Sequence, residues 1–496
     1  MNDKIIVEKV NEVFIKLKCD MSQTLEIRQY FTCYAPNFQF HPKFRAKIWD
    51  GKLCFYDYRT NTLPIGLLPK LAKFAKQFDY ELDFQFDLSK MSNNISIDDL
   101  SDYLDKVFKD IDITPRDYQL DAIHKSLTNK RGIVLSPTGS GKSLIIYSMI
   151  RFLLGMNKKT MLVVPNISLV EQMYSDFKSY GWDNIDNHVT KLYNGVKPDF
   201  NKEILITTWQ SIYKKQESFF KDYEALLIDE THQAKSLSIQ TIAKKSVNAE
   251  YRIGLTGTLP TEDSDIFNIY GYLGPVIFKQ KTKELQKLGV LSDISIVNLL
   301  LQYPEEMVKL NKQRPYVEEV ETITTYANRN KVFKYIFDKI EDKQNSVVLC
   351  HKIEHLKAIE EYLLENLNDK YSVYVIYGAV KPAERERIRH LMDQEENLIL
   401  LGTYATLSTG INIKKLHHVI FASSYKSKIK ILQSIGRGLR THETKEKMVL
   451  WDIVDDLRYT TRNGTKGKNH VYKHFEERLK FYNEQEFKFF NKDYKL

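Results

Sequence analysis

Short, uninterrupted apolar runs are the feature that most limits how this chain folds. Four such runs lie between residues 132 and 228, and five more lie between residues 346 and 452, with helix-like segments between them. Continuous apolar runs separated by helical patterns are typical of parallel strands whose two faces are covered by helices. The pattern therefore predicts α/β architecture, with two parallel-sheet domains in tandem.

The rest of the chain differs from these two series. Its 496 residues suggest about three domains at roughly 100–200 residues each. The first ~90 residues alternate in short β-type runs around one helix-like stretch at 67–78, and a polar stretch follows at 89–94. We predict a small α+β domain over 1–90, a linker over 91–112, α/β domains over 113–285 and 286–456, and a basic, aromatic extension over 457–496.

Composition narrows the class of protein. Hydrophobic residues make up 43 % and charged residues 28 %, which excludes a disordered or fibrous chain. The net charge of +9 permits a polyanionic partner without requiring one. No segment approaches the ~18 apolar residues of a membrane helix, and the N-terminus lacks the pattern of a signal peptide. We expect a cytoplasmic protein that does not enter membranes.

The four cysteines show no metal-ligand spacing. Cys19, Cys33, Cys54 and Cys350 form no CxxC pair in a chain of this size. So few thiols are typical of a reduced compartment, where they serve as small core residues. We expect no zinc site.

A glycine-rich segment follows the first apolar run. It reads Ser136-Pro137-Thr138-Gly139-Ser140-Gly141-Lys142-Ser143 and leads directly into an apolar helix start. The glycines let backbone N–H groups wrap closely round phosphates, Lys142 can reach the β- and γ-phosphates, and Ser143 can hold Mg²⁺. The common pattern begins with glycine where this chain has Ser136, and a turn that merely opens a helix is the alternative. The segment predicts an ATP site formed by Pro137 to Ser143.

Two carboxylates follow a later apolar run of the same series. Asp229 and Glu230 come directly after the strand-like run 225–228. In this position Asp229 can hold Mg²⁺, and Glu230 can orient and deprotonate an attacking water. A solvated loop is the alternative for such a pair taken alone. About 90 residues after a phosphate loop, the pair predicts hydrolysis of ATP.

A third element lies in the second series. Arg437 and Arg440, in the segment 433–440, are three residues apart and share one face of a helix. Planar guanidinium groups suit phosphate oxygens, and arginines delivered from another domain would make hydrolysis depend on closure of a cleft. An exposed basic helix is the alternative.

Together these segments resemble the superfamily 2 helicases of the DExH type, in the family's order, over most of residues 113–455. The resemblance implies two RecA-like motor domains, ATP and Mg²⁺ as cofactors, and base recognition by Arg116 and Gln119. It implies that His232, Thr256 and Thr258 couple hydrolysis to movement and that Gln433 joins the arginines. It also implies nucleotide contacts by Gly410 and Asn412. The residues that the resemblance places on the nucleic acid are Pro165, Thr208, Gln210, His351, Gly378, Thr403 and Thr406.

A closer resemblance is to the recombination and repair helicases of T-even bacteriophages. It is carried by 40–52, 63–67, 416–419 and 427–429, and by the order and length of the domains. It implies an ATP-dependent enzyme that unwinds branched DNA, including forks, Holliday junctions and R-loops, and that anneals strands. Single-stranded DNA and RNA–DNA hybrids are then further partners. We expect a monomer, and the sequence does not identify protein partners.

The two flanks carry most of the positive charge. Residues 41–76 hold eight Lys/Arg and two acids among many aromatics, and 457–496 hold ten Lys/Arg and five acids. Such patches neutralise phosphates and stack on bases, although a solvated face over an aromatic core has the same composition. We predict that Arg45, Lys47 and Lys52 contact DNA and that Trp49 is buried. The aromatics from Tyr472 to Phe490 predict a helix packed on the second motor domain.

Two other functions remain open at this level. An RNA helicase has the same motor, because none of these motifs reads the 2′-hydroxyl. The same motifs and the same basic flanks are also expected of a protein that clamps junctions or anneals strands and hydrolyses ATP only to reset binding.

Overall fold

The computed structural model describes residues 4–235, 237–312, 314–367 and 370–407. Further along it describes 413, 415–424, 427, 431, 434–436, 438–439, 445, 447–461 and 463–496. The chain forms two compact units, one of Met1–Ser136 with Gly141–Gln280 and the other of Pro137–Ser140 with Lys281–Leu496. None of the described helices is long and apolar enough to cross a bilayer.

The N-terminal part of the first unit is a small α+β domain. Its strands are β1 (Lys4–Lys9), β2 (Phe14–Lys18), β3 (Thr32–Tyr34), β4 (Lys52–Cys54), β5 (Thr62–Pro64) and β6 (Glu81–Phe84), and its helices are α1 (Met21–Tyr30), α2 (Pro42–Arg45) and α3 (Leu68–Gln77). One sheet has the order β5-β2-β1-β6, and β3 pairs with β4 in a separate ribbon. Helix α1 begins where Asp20 and Gln23 cap each other's backbone N–H groups.

The first α/β domain follows in the same unit. Its strands are β7 (Arg131–Leu135), β8 (Thr160–Val164), β9 (Val189–Leu192), β10 (Ile204–Thr208), β11 (Ala225–Asp229), β12 (Tyr251–Thr256) and β13 (Val276–Lys279). Its helices are α4 (Ile97–Val107), α5 (Asp117–Asn129), α6 (Lys142–Gly155), α7 (Ile167–Ser179), α8 (Ile185–His188), α9 (Trp209–Ile212), α10 (Glu217–Phe220), α11 (Leu237–Lys245) and α12 (Asp263–Leu273). All seven strands are parallel, in the order β13-β7-β12-β11-β8-β10-β9. Residues 91–112 contain α4, whose Leu100 and Leu104 are buried.

The second unit holds the second α/β domain. Its strands are β14 (Asp293–Gln302), β15 (Ser346–Cys350), β16 (Ser372–Ile376), β17 (Leu398–Thr403), β18 (His418–Phe421), β19 (Lys447–Asp456), β20 (Tyr459–Thr460), β21 (Lys466–Gly467) and β22 (Lys488–Lys495). Its helices are α13 (Thr282–Lys287), α14 (Glu305–Leu310), α15 (Tyr316–Thr325), α16 (Lys331–Phe337), α17 (Ile353–Asn366), α18 (Pro382–Gln394), α19 (Tyr404–Leu407) and α20 (His470–Glu484). Its seven-stranded sheet is parallel, in the order β16-β17-β15-β18-β19-β14-β22. The predicted tandem parallel-sheet architecture after a small α+β domain is confirmed.

A separate C-terminal extension is not confirmed. Helix α20 packs on β19, and β22 adds the edge strand beside β14. The aromatics predicted to lie on one helix are therefore divided, because the helix ends at Glu484 and Phe489 and Phe490 lie in β22. These residues complete the second sheet.

The small domain is fixed to the first α/β domain through helix α12. The ring of Phe267 stacks on Phe55 with centroids 5.1 Å apart, and the Lys70 ammonium lies 4.2 Å from its centroid. A Cβ at Gly66 would lie 2.0 Å from the carbonyl oxygen of Tyr270, so the two backbones meet with no room for a side chain. The small domain and the first sheet therefore form one body.

A buried ion pair holds α20 on the second sheet. Arg478 donates from Nε and Nη2 to the two carboxylate oxygens of Asp452, at 2.8 and 2.9 Å, and the Tyr482 hydroxyl donates to the same carboxylate at 2.9 Å. All three side chains are buried. Removing one partner would leave the other charge uncompensated in the interior.

We predict that Asp452→Asn lowers the free energy of unfolding of the second unit by about 3–5 kcal/mol, since Arg478 then stays buried without its carboxylate. Urea denaturation followed by circular dichroism measures this loss. The exposed pair of Glu384 and Arg387 provides the control, and Glu384→Gln should leave the midpoint nearly unchanged. Equal midpoints for Asp452→Asn and the unmodified chain would contradict the prediction.

Candidate functional site

The sheet register of the first domain brings three predicted segments to one edge. Thr256 at the end of β12 pairs with Leu135 of β7, and Asp229 at the end of β11 pairs with Leu255. Because parallel strands end at the same edge, Ser136 at the start of the glycine-rich loop, the acid pair and Thr256 emerge side by side, and the Ser136 N–H donates to the carbonyl of Thr256 at 2.9 Å. Ligands of open α/β sheets bind at this edge.

The glycine-rich loop has the backbone that a phosphate site needs. Gly139 and Gly141 adopt left-handed φ angles of 86° and 79°, and α6 begins directly after them at Lys142. The Lys142 ammonium donates to the carbonyl of Ser136 at 3.2 Å, across the mouth of the loop. Ser136 does not have a left-handed φ, so serine is accommodated where the common pattern has glycine.

Gln119 lies against this loop. Its side chain is buried, and its Oε1 accepts the backbone N–H of Arg116 at 2.9 Å where α5 begins. A Cβ at Gly141 would lie 2.3 Å from Gln119 Nε2, so any other residue there would have to displace the Gln119 amide as well as adopt a left-handed φ. The structure thus places the predicted base-contact residues beside the predicted phosphate loop.

The acid pair is held in an unusual electrostatic environment. Asp229 is buried, and burial followed by the neighbouring Glu230 raises its pKa to about 7, while the Lys142 charge acts in the opposite direction. Glu230 adopts a left-handed φ of 51°, and its N–H donates to Asp229 Oδ1 at 2.9 Å. A bound cation would favour the ionised form of Asp229.

The residues predicted to hold Mg²⁺ offer suitable donors. Asp229 supplies a carboxylate, and Ser143 a hydroxyl that lies 2.9 Å from the Tyr180 hydroxyl. Mg²⁺ is usually bound by one or two protein oxygens together with phosphates and waters. Among the described residues no cluster of three or more His, Cys, Asp or Glu side chains could hold a metal. A sparse oxygen donor set of this kind fits Mg²⁺ bound with a nucleotide.

His232 connects the acid pair to the end of β12. Its Nδ1 lies 3.2 Å from Glu230 Oε2 and 3.1 Å from the Thr256 hydroxyl. The Thr256 hydroxyl donates to the carbonyl of Thr258 at 2.8 Å. The three predicted coupling residues and Glu230 are therefore one hydrogen-bonded group.

A groove of about 750 Å³ lies at the same edge, beyond β8, β10 and β9. Thr208 and Gln210 line it, and Gln210 Nε2 donates to the carbonyl of Pro165 at 3.3 Å. Tyr193, Asn194 and Gly195, which sequence reasoning missed, also line the groove. The Asn194-Gly195 pair shortly after β9 could have predicted a turn at this place in the sequence, and Gly195 indeed has a left-handed φ of 91°.

The second domain arranges its predicted residues in the same way. His351 follows β15 and Thr403 ends β17, and these strands are paired so that Cys350 lies opposite Thr403. The hydroxyls of Thr403 and Thr406 lie 2.9 Å apart, and Arg385 donates to the carbonyl of Gly378 at 2.8 Å. Gly410, Asn412, Gln433, Arg437 and Arg440 lie outside the described residues.

A buried network that the sequence did not predict positions His351. Arg329 pairs with Asp455 at 2.7 Å and lies 3.3 Å from His355 Nε2. Burial, followed by the Arg329 charge, lowers the pKa of His355 to about 3. The neutral ring therefore accepts from Arg329, and its Nδ1 faces the Ser423 hydroxyl, which accepts the His351 N–H at 3.2 Å.

Arg45, Lys47 and Lys52 are exposed on the small domain. The prediction that Trp49 is buried is wrong in degree: it is half-buried, its ring meets His41 edge-on, and its indole N–H donates to the carbonyl of Lys52 at 2.9 Å. The hydrogen bond to Lys52 and the contact with His41 therefore fix the position of this half-buried indole.

Three family models match successive parts of the chain. The N-terminal domain of DNA helicase UvsW matches residues 5–85, the res subunit of type III restriction enzymes matches 112–261, and the helicase conserved C-terminal domain matches 328–442. These matches follow the order of the domains in the structure.

Whole-chain comparisons agree with them. The chain is 30% identical over 497 residues to the ATP-dependent DNA helicase uvsW of Enterobacteria phage T4. This match covers 97% of this chain and 98% of that protein. It is 25% identical to the DNA 3'-5' translocase XPB2 of Sulfurisphaera tokodaii, over 68% of this chain and 80% of that protein. The crystal structure of T4 UvsW matches with a TM-score of 0.52 and 29% identity over 99% of both chains.

We predict that Gly141→Ala weakens nucleotide binding at least about tenfold, since its Cβ would displace Gln119 from the loop. Titration with a fluorescent ATP analogue measures this. Gly195→Ala is the matched control, because its φ is 91° and nothing lies within 4 Å of the new Cβ. That variant should lose only the roughly 1–2 kcal/mol of a left-handed alanine and bind nucleotide normally. Equal nucleotide affinity in the two variants would contradict the assignment.

Proposed function

Because the chain belongs to the family of the ATP-dependent DNA helicase UvsW, we propose that it acts on branched DNA: forks, four-way junctions and R-loops. Family membership makes it a nucleic-acid-dependent ATPase with two helicase motor domains. The proposal extends this to a role in recombination and repair, with the chain acting as a monomer.

One observation carries the proposal. Lys142 at the start of α6, the acid pair and the 750 Å³ groove lie at one edge of one parallel sheet, and the basic small domain belongs to the same compact unit. A motor that hydrolyses ATP beside a strand groove accounts for movement along DNA. A basic domain rigidly attached to it, matched by the UvsW N-terminal model, supports recognition of a branch.

The proposed roles follow from the chemistry of each group. Lys142 and the loop N–H groups bind and orient the phosphates, and Gln119 with Arg116 selects the base. Mg²⁺, held by Ser143 and Asp229, neutralises phosphate charge when bound. Glu230 takes a proton from the attacking water, and Arg437 and Arg440, with Gln433, stabilise charge on the γ-phosphate.

Transmission to the nucleic acid begins at His232. A change at Glu230 on hydrolysis alters the hydrogen bond between His232 and Thr256, and Thr256 holds the carbonyl of Thr258. Strand contacts are proposed for the groove residues Thr208 and Gln210. In the second domain they are proposed for His351, Gly378, Thr403 and Thr406, with Gly410 and Asn412 facing the nucleotide.

We predict that Glu230→Gln lowers DNA-stimulated ATP hydrolysis by about 10²- to 10⁴-fold, since the general base is lost. Lys142→Ala should have a comparable effect, and both variants should fold and bind DNA normally. Glu217→Gln is the control, because its carboxylate is exposed on α10. Unchanged turnover in Glu230→Gln would remove the assignment.

A substrate panel separates the proposed function from its alternatives. Stimulation by forked DNA and four-way junctions above that by single-stranded DNA or RNA supports the branched-DNA role. Stronger stimulation by RNA indicates an RNA helicase. Strand annealing by Lys142→Ala at the rate of the unmodified chain indicates that annealing needs no ATP.

A further inference from the structure

Strands β3 and β4 of the ribbon are joined by residues 35–51, which we call the tip segment. The Ala35 N–H donates to the carbonyl of Gly51 at 2.8 Å and closes the segment. Inside it, the ring of Phe38 stacks on Tyr34 at 4.5 Å and meets Phe44 edge-on at 4.9 Å. The rings of Tyr34, Phe38 and Phe44 therefore form a small aromatic cluster in which no ring is fully buried.

Its backbone conformation is fixed at three positions. Asn37, Lys47 and Gly51 have left-handed φ angles of 54°, 55° and 80°, and a Cβ at Gly51 would lie 2.5 Å from the Phe38 ring. The Ile48 N–H donates to the carbonyl of Lys43 at 2.9 Å. These φ angles and backbone hydrogen bonds give the tip segment a compact, turn-rich conformation.

Two large apolar side chains of the tip segment lie outside this cluster. Phe40 is 68% exposed and Ile48 is 76% exposed, whereas Phe38 and Phe44 are half-buried. Apolar groups displayed on a rigid, polar-rimmed segment mark a recognition surface.

The charge around them favours a polyanion. Lys43, Arg45, Lys47 and Lys52 surround the tip against one acid, Asp50, whose carboxylate accepts the Lys52 N–H at 3.0 Å. The Arg45 guanidinium lies 5.8 Å from the Phe40 ring centroid. Nucleic acid is the polyanion that also offers flat apolar faces, those of its bases.

A groove of about 500 Å³ lies between α1 and the ribbon. Arg28 and Lys52 line it together with one acid, Asp50, and with the polar side chains of Thr32 and Tyr34, so two cations face one carboxylate next to the tip segment. This arrangement suits the phosphate backbone of one strand after it has parted from its complement.

We propose that the tip segment is a DNA strand-separating wedge. Phe40 and Ile48 stack against the last base pair at a branch point, and the surrounding lysines and Arg45 hold the flanking phosphates. Inserted apolar side chains unstack base steps in other proteins that distort DNA. The assignment rests on the proposed function, because it supplies the contact that distinguishes a branch from a single strand.

The attachment of the small domain makes such a wedge useful. Phe267, stacked on Phe55, lies on α12, which follows Thr258 in the chain. The wedge and the coupling residues therefore belong to one body. A step of the first motor domain along DNA carries the wedge with it.

The test compares the unmodified full chain with three variants: Phe40→Ala/Ile48→Ala, Phe40→Trp and Met21→Ala. Met21 serves as the control position because its side chain is 74% exposed on α1 of the same domain. ATP hydrolysis is measured with single-stranded DNA, and unwinding with a forked duplex carrying 2-aminopurine at the branch. Loss of stacking should slow fork unwinding by the double variant about tenfold or more. Its ATP hydrolysis on single-stranded DNA and its melting temperature should not change.

Phe40→Trp and Met21→Ala should unwind forks at the normal rate. The unmodified chain should change the 2-aminopurine fluorescence on binding, and the double variant should not. Equal unwinding by the double variant and the unmodified chain would overturn the wedge and leave the proposed function intact. Failure of the unmodified chain to unwind any fork or junction would instead overturn the proposed function.

Discussion

The hydrogen-bonded register of the first parallel sheet is the constraint on which the site depends. Because β7, β12 and β11 lie side by side with Leu135 opposite Thr256, segments far apart in sequence emerge at one edge. A slip of one residue would turn every side chain to the other face. The fully buried strands make such a slip costly, since both faces are packed.

Two neighbouring carboxylates, Asp229 and Glu230, lie at that edge, and the folded chain stabilises their negative charge poorly. Burial and Glu230 together raise the pKa of Asp229, and Lys142 provides the opposing charge. A site of this kind is preorganised for a ligand that brings both cation and phosphate. His232 contacts both Glu230 and the Thr256 hydroxyl, so a change at Glu230 would be passed to the end of β12.

Sequence reasoning recovered the features that local pattern encodes. Apolar runs predicted the parallel sheets, and the loop at 136–143 with Asp229 and Glu230 predicted a site that the fold assembles. It missed what long-range packing decides. Ser423 reaches His351 only because Arg329, Asp455 and His355 meet inside the second unit, and β22 is a strand because β14 has a free edge beside it. Trp49 donates a hydrogen bond to the carbonyl of Lys52, and hydrophobic periodicity in the sequence cannot predict such a bond.

The central claim is that hydrolysis at Glu230 drives strand movement through His232 and Thr256. The direct measurement is the number of base pairs opened per ATP hydrolysed on a forked duplex. It compares Thr256→Val with Thr241→Val, whose hydroxyl donates to the carbonyl of Leu237 within α11 at 2.8 Å. The account predicts that Thr256→Val still hydrolyses ATP but opens fewer base pairs for each one, while Thr241→Val keeps the normal ratio. The same ratio in both variants and the unmodified chain would contradict it.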